Sequence, residues 1–260
     1  MKSYRWIIPT IGAAIGITTV VYSHRLELTD WWRQRQVEPI PQAVTSAELT
    51  EPEDRSKKIA EADEEQIKDA VMLPDSINLD IPFTAQAPHG NWELPYQEAC
   101  EEASAIMAAR FLQSRSIANT NDANAAIIEL VDYGTTTLGY PIDTTAAQTA
   151  DIIEQFYGLT TELKYDWTWA DIKTALTQGH PVLLPAAGRL LGNPYYTAPG
   201  PLYHMLVIKG YTATTVITND SGTRRGADFQ YSYATLEQAN HDWNNGDVPN
   251  GAKVIIIVSP

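Results

Sequence analysis

The chain holds one cysteine among its 260 residues, Cys100. A single cysteine excludes an intramolecular disulfide framework and any Cys-rich zinc site, and it leaves the compartment open. Cations are also scarce. Eighteen Lys and Arg stand against 32 Asp and Glu, for a formal net charge of −14. That balance argues against a nucleic-acid partner, because phosphate binding needs clustered Lys and Arg. Also missing are a G-x-S-x-G elbow, a P-loop, H-E-x-x-H and G-x-G-x-x-G. No cofactor and no metal are therefore expected. No repeat of fixed period occurs. What is present is a hydrophobic content of 44% with seven Trp, enough for a sizeable core.

Three stretches divide the chain: 1–36, 37–76 and 77–260. Trp6 to Tyr22 is an uncharged apolar run just after Lys2 and Arg5. Its length sits at the lower limit for crossing a bilayer, about 17 to 25 residues. Trp31 and Trp32 lie where indoles anchor at the headgroup level. The run is read as an uncleaved single-pass anchor, with the domain after it outside the cytoplasm. Secretion after signal cleavage is the competing reading, with only a weak small-x-small site at Val21 and Ser23. Arg25, Arg33 and Arg35 balance Lys2 and Arg5, so charge does not set the orientation. From Val37 the chain turns Pro-rich and then charge-dense, which predicts a solvated spacer with a short helix over Pro52 to Val71.

The globular part is expected to begin at Ile77 with a short strand, Asn78 to Phe83. After Pro95, apolar residues recur at three- and four-residue spacing from Ala99 to Leu112 and predict a helix. Further helices are expected from Asp122, as N-cap, to Tyr133, from Thr144 to Tyr157, and from the Thr168 cap to Gly179. Strand character covers Thr160 to Tyr165. It returns after Pro181 at Val182–Ala186, Tyr203–Tyr211, Thr215–Thr218, Phe229–Tyr233 and Val254–Val258, with a helix expected over Thr235 to Trp243. Helices first and strands afterwards predict an α+β domain with an antiparallel sheet.

The chemistry centres on Cys100. A thiol in the first turn of a helix meets unpaired N–H groups and the positive end of the dipole, which favour the nucleophilic thiolate. Glu98, Glu101 and Glu102 oppose this, since nearby carboxylates raise a thiol pKa. A lone Cys on a helix is more often a small buried hydrophobe. A nucleophile also needs a base and a group to orient it. His204 enters a strongly apolar strand, where a polar ring needs a specific partner. Asp220 ends the next strand, so a hairpin through 211–215 would bring its carboxylate beside the ring. Each alone has a plain structural reading, His204 as a satisfied core histidine and Asp220 as a turn former. In the order Cys, His, Asp they match a papain-like arrangement in which the third group holds the imidazole in its working tautomer. Asn219 and Ser221 compete for that third place. Pairs such as Glu101 with Glu102 read as helix faces, not a glycosidase dyad.

Three segments carry a family resemblance: IPFTAQAPHGNWELPYQEACEEAS, YHMLVIKGYT and VITNDSGTRRG. Over 77–260 the sequence resembles the double-glycine leader peptidases, family thirty-nine of the cysteine peptidases, especially their stand-alone bacterial relatives. The resemblance implies a papain-like fold with Cys100 as nucleophile, His204 as general base and acid, and Asp220 orienting it. It also implies a Gln that stabilises the oxyanion, Gln86, with Gln97 as competitor. Where the family carries Cys-Gly, this chain has Cys100-Glu101. The transporter parts of the leader peptidases do not occur, so bacteriocin export is not implied. The expected activity is amide-bond hydrolysis, on a protein segment or a cell-wall peptide. The rival is a non-catalytic peptide-binding or surface-interaction module on the same fold.

Overall fold

The computed structural model describes residues 38–50, 73–141 and 143–260. The expected anchor over 6–22 and the helix expected over 52–71 lie outside the described residues. Among the described residues no helix is long and apolar enough to cross a membrane.

Six α-helices are described: α1 (Ser46–Thr50), α2 (Cys100–Leu112), α3 (Thr120–Asp132), α4 (Ala146–Tyr157), α5 (Trp169–Thr177) and α6 (Tyr233–Ala239). Seven strands accompany them: β1 (Ile77–Asn78), β2 (Thr160–Lys164), β3 (Val182–Ala187), β4 (Tyr203–Tyr211), β5 (Thr215–Asn219), β6 (Phe229–Ser232) and β7 (Ile255–Ser259). They form one antiparallel sheet in the order β2-β7-β3-β4-β5-β6, with β1 added to the far end of β4. The α+β class with an antiparallel sheet is the one the sequence predicts. β4 is buried at all nine positions because it lies between β3 and β5 and is covered by α2. A strand with no solvated face reads as a near-continuous apolar run, which is how YHMLVIKGY reads.

Side-chain caps set the starts of α3 to α6, whereas α2 begins after Ala99 with no side-chain cap, and several starts differ from expectation. Asn119, not Asp122, caps α3: its Oδ1 accepts from the N–H groups of Asn121 and Asp122. Asp122 turns its carboxylate to the Ala118 N–H and to Arg110. α4 starts after Thr145, whose capping box with Gln148 leaves Thr144 outside the helix. α6 stops at Ala239, short of Trp243. Asn240 leaves the helix to bridge Ala186, and its Nδ2 donates to Pro185 O and Val254 O. The strand expected over Asn78 to Phe83 shortens to Ile77–Asn78, since the chain turns when the Ile81 N–H bonds Leu79 O.

From Pro39 onward the described residues belong to one compact unit. Residues 44–49, within the stretch read as spacer, add to it. Val44 pairs in parallel with Leu79, its N–H donating to Asn78 O at 2.8 Å while it accepts from the Asp80 N–H at 2.8 Å. Leu49 packs on the core.

Candidate active site

The site lies where the first turn of α2 meets the beginning of β4. Ser104, one turn into the helix, donates from Oγ to Met205 O at 3.1 Å. That bond fastens α2 to the residue after His204. β4 in turn pairs with β5, which ends one residue before Asp220.

His204 and Asp220 come together as expected. His204 Nε2 lies 2.9 Å from Asp220 Oδ1, and both side chains are buried. An ionised carboxylate only accepts, so Nε2 carries the proton and Nδ1 is the basic nitrogen of the neutral ring. Asp220 is held by four further donors: Tyr196 Oη, Tyr231 Oη, Asn193 Nδ2 and the Gly222 N–H. Burial pushes its pKa up. The charge of His204 and the hydrogen bonds from His204, Tyr231 and Tyr196 outweigh burial and leave it at about 2. Asn219 and Ser221 do not take the orienting place. Asn219 donates to Ile81 O and Pro82 O, and Ser221 Oγ faces Gln86 Oε1 at 3.5 Å.

Asp220 owes its position to a closed loop. Its N–H donates to Gly226 O at 2.9 Å. A Cβ on Gly226 would sit 1.7 Å from Asp220 O, so only glycine allows the approach. A Cβ on Gly222 would come 2.8 Å from Tyr196 Cε1 and 3.0 Å from His204 Cε1.

Cys100 lies in the first turn of α2, as expected; it is the first residue of that helix and is buried. Its thiol donates to Glu101 Oε2 at 2.9 Å, turned toward that carboxylate and not hydrogen-bonded to the imidazole. Glu101 Oε1 accepts from the Thr144 N–H at 2.9 Å, which docks the loop before α4 onto the helix start. Burial, then the Glu101 charge and its hydrogen bond, push the thiol pKa well above the ordinary range, against a Met205 N–H that pulls it down. The helix start expected to favour thiolate is outweighed. Burial and the Glu102 charge raise the Glu101 carboxyl as well. Glu102 is pushed up to about 8, first by burial, with a smaller push from Asp143, and its Oε2 has no partner. Asp143 in turn is pushed up to about 6 by burial and Glu98.

Gln86 and Gln97 both line the cleft beside His204. Gln86 Nε2 donates to Tyr96 O at 3.0 Å and Gln97 O at 2.9 Å, tying its amide to the turn before Cys100. Gln97 Nε2 donates to Glu98 Oε1 at 2.9 Å. The cleft has a volume of about 750 Å³ and is walled by Gln86, Trp92, Tyr196, His204, Arg224 and Arg225 among others, while Cys100 does not line it. Among the described residues no group of three or more His, Cys, Asp or Glu is arranged to hold a metal.

Several contributors escape sequence reasoning. Asn193, Tyr196 and Tyr231 carry no motif. Their only signal is that Asn193 and Tyr196 fall in a Gly- and Pro-rich stretch joining two apolar strands. Glu101 reads as a helix-surface carboxylate, yet it is 1% exposed.

Among curated proteins, none matches this chain. Among solved structures, the chain is similar to a protein from Bacillus anthracis assigned as a C39-like peptidase, at 15% identity and a TM-score of 0.49. That similarity covers 72% of this chain and 98% of the other. The model of the Peptidase_C39 like family matches residues 78–247, which contain Gln86, Cys100, His204 and Asp220. With well over half of the sequence inside that match, the chain belongs to the Peptidase_C39 like family.

Proposed function

We propose that this chain is a cysteine peptidase in which Cys100 attacks a peptide carbonyl, His204 moves the proton and Asp220 orients the ring. The observation that carries the reading is the buried 2.9 Å His204–Asp220 pair beside a large cleft, one residue from where α2 is fastened to β4. The thiol proton passes to His204 Nδ1 as sulfur bonds to the carbonyl carbon. The imidazolium then protonates the leaving amine as the C–N bond breaks, and water hydrolyses the thioester. For this the thiol leaves Glu101 and turns to the ring. The Cys100 N–H, free of intrahelical bonding at the helix start, is one oxyanion donor. Gln86 serves as the second by giving up one of its two carbonyl partners. The substrate is a peptide or protein, including a cell-wall peptide. The run over 6–22 holds the domain at a membrane, outside the cytoplasm, and 77–260 carries the catalytic residues.

One observation favours a second reading, a non-catalytic peptide-binding module: the thiol is buried and bonded to a carboxylate. Turnover of a quenched peptide library by the full chain separates the two. Cys100→Ala and His204→Ala should each abolish cleavage with the fold intact. Cleavage that survives Cys100→Ala, or no cleavage by the wild type, refutes the peptidase reading.

A further inference from the structure

The cleft beside His204 carries two guanidinium groups, Arg224 and Arg225, in a chain whose net charge is −14. Among the described residues its walls hold no carboxylate. Two acids beside lining residues are already engaged. Asp220 lies behind His204 with five hydrogen-bond donors on it, and Glu98 is bonded by Gln97. Among the described residues Arg224 forms no ion pair. Its neighbour Arg225 has its guanidinium 4.9 Å from the Tyr195 ring centroid, a cation–π contact that fixes the planar group against the wall.

Both arginines sit on the loop that positions Asp220, closed by the Asp220–Gly226 backbone bond. Gly222 of the same loop approaches the His204 ring so closely that a Cβ would be 3.0 Å from Cε1. The positive charge is therefore carried on the same closed loop as the imidazole partner, on two exposed side chains. Arginine presents a rigid fork of donors that matches a carboxylate. Trp92, Tyr195 and Tyr196 add aromatic walls for the rest of a chain.

We infer that this cleft selects anionic peptides, binding an acidic side chain or a free C-terminal carboxylate through Arg224 and Arg225. The inference rests on the peptidase reading only in placing that anion near the scissile bond; the binding preference stands without turnover.

The test uses the full chain with Cys100→Ala, which prevents turnover, and fluorescein-labelled heptapeptides of Ala, Gly and Ser with a central Glu-Glu, Gln-Gln or Lys-Lys pair. Each is made as free acid and as C-terminal amide, and binding is read by fluorescence anisotropy. The Glu-Glu amide should bind about tenfold tighter than the Gln-Gln amide, with the Lys-Lys peptide weakest. A stronger Gln-Gln acid than Gln-Gln amide would assign the site to the terminal carboxylate instead. Adding Arg224→Gln with Arg225→Gln should bring all preferences to within about twofold, and raising salt from about 50 mM to about 500 mM should shrink them. Should loss of the Tyr195 contact unfold the double variant, Arg224→Gln alone should still reduce the preference. Equal binding of all peptides, no binding of any, or a preference unchanged without the arginines overturns the inference. Wild-type cleavage is scored separately. Selective binding without cleavage refutes the peptidase reading and leaves this one standing, and equal cleavage of neutral and acidic peptides does the reverse.

Discussion

Removing the carboxylate that faces Cys100 should wake the thiol. Glu101 accepts the thiol proton at 2.9 Å in a site where both side chains are buried. The carboxyl is the stronger acid of the two, so it ionises first and the sulfur must then ionise against a negative neighbour. Two like charges about 4 Å apart repel by about 4 kcal/mol at an effective dielectric of about 20. Even a third of that, about 1.4 kcal/mol, is tenfold in the thiolate population. Glu101→Gln keeps the shape and the carbonyl acceptor for the Thr144 N–H while removing the charge. Iodoacetamide alkylation of Cys100, followed by mass spectrometry across a pH series, should be at least about tenfold faster than wild type near neutral pH. Glu102→Gln is the control, because Glu102 is equally buried yet is the least of the causes acting on the thiol. An unchanged alkylation profile in Glu101→Gln, with native circular dichroism, would refute the argument that this carboxylate suppresses the thiolate.

Glu102 predicts a pH-dependent stability. Its folded pKa of about 8 lies above the ordinary 4.5, so the stability it allows is full below 4.5 and is lost as pH rises toward about 8. The loss is at most about 1.4 kcal/mol per pH unit, and Glu102→Gln should flatten it in urea melts between about pH 5 and 8; a wild type that grows more stable over that window contradicts it. Asp220 has the opposite sign and a separate window: its contribution is present above 3.8 and is lost as pH falls toward about 2. Asp220→Ala strands Asn193, Tyr196 and Tyr231 without their acceptor and should cost about 3 kcal/mol or more, with residual but measurable cleavage; full activity would remove Asp220 from the mechanism. Gly226→Ala forces a Cβ into the Asp220 carbonyl and should cost about 2 kcal/mol with a larger loss of activity, and a thermal melt matching wild type would show the loop to be less tightly closed.

Much of this was legible from the residues in order. Periodicity placed α2 with Cys100 in its first turn, and the apolar run 203–211 placed β4 with His204 near its start. The short connection to β5 then allowed Asp220 to reach the ring. These are local signals, set by helix and strand periods that act over a few residues. Helix ends were less legible, because Asn119 and Thr145 won as caps through bonds that depend on side-chain direction. The tertiary structure alone decided what surrounds each reactive group. Asn193 and Tyr196, on the loop before β4, and Tyr231, on β6, converge on Asp220 from two separate segments, a meeting no spacing rule encodes. Glu101, acidic and on a helix, carries every sequence mark of a solvated residue. It is buried because the loop before α4 folds over it and offers the Thr144 N–H. The thiol's state follows from that burial: the dipole of the helix start is a local property, whereas desolvation and a facing carboxylate depend on what packs above it, and in the dry site they are the larger effects.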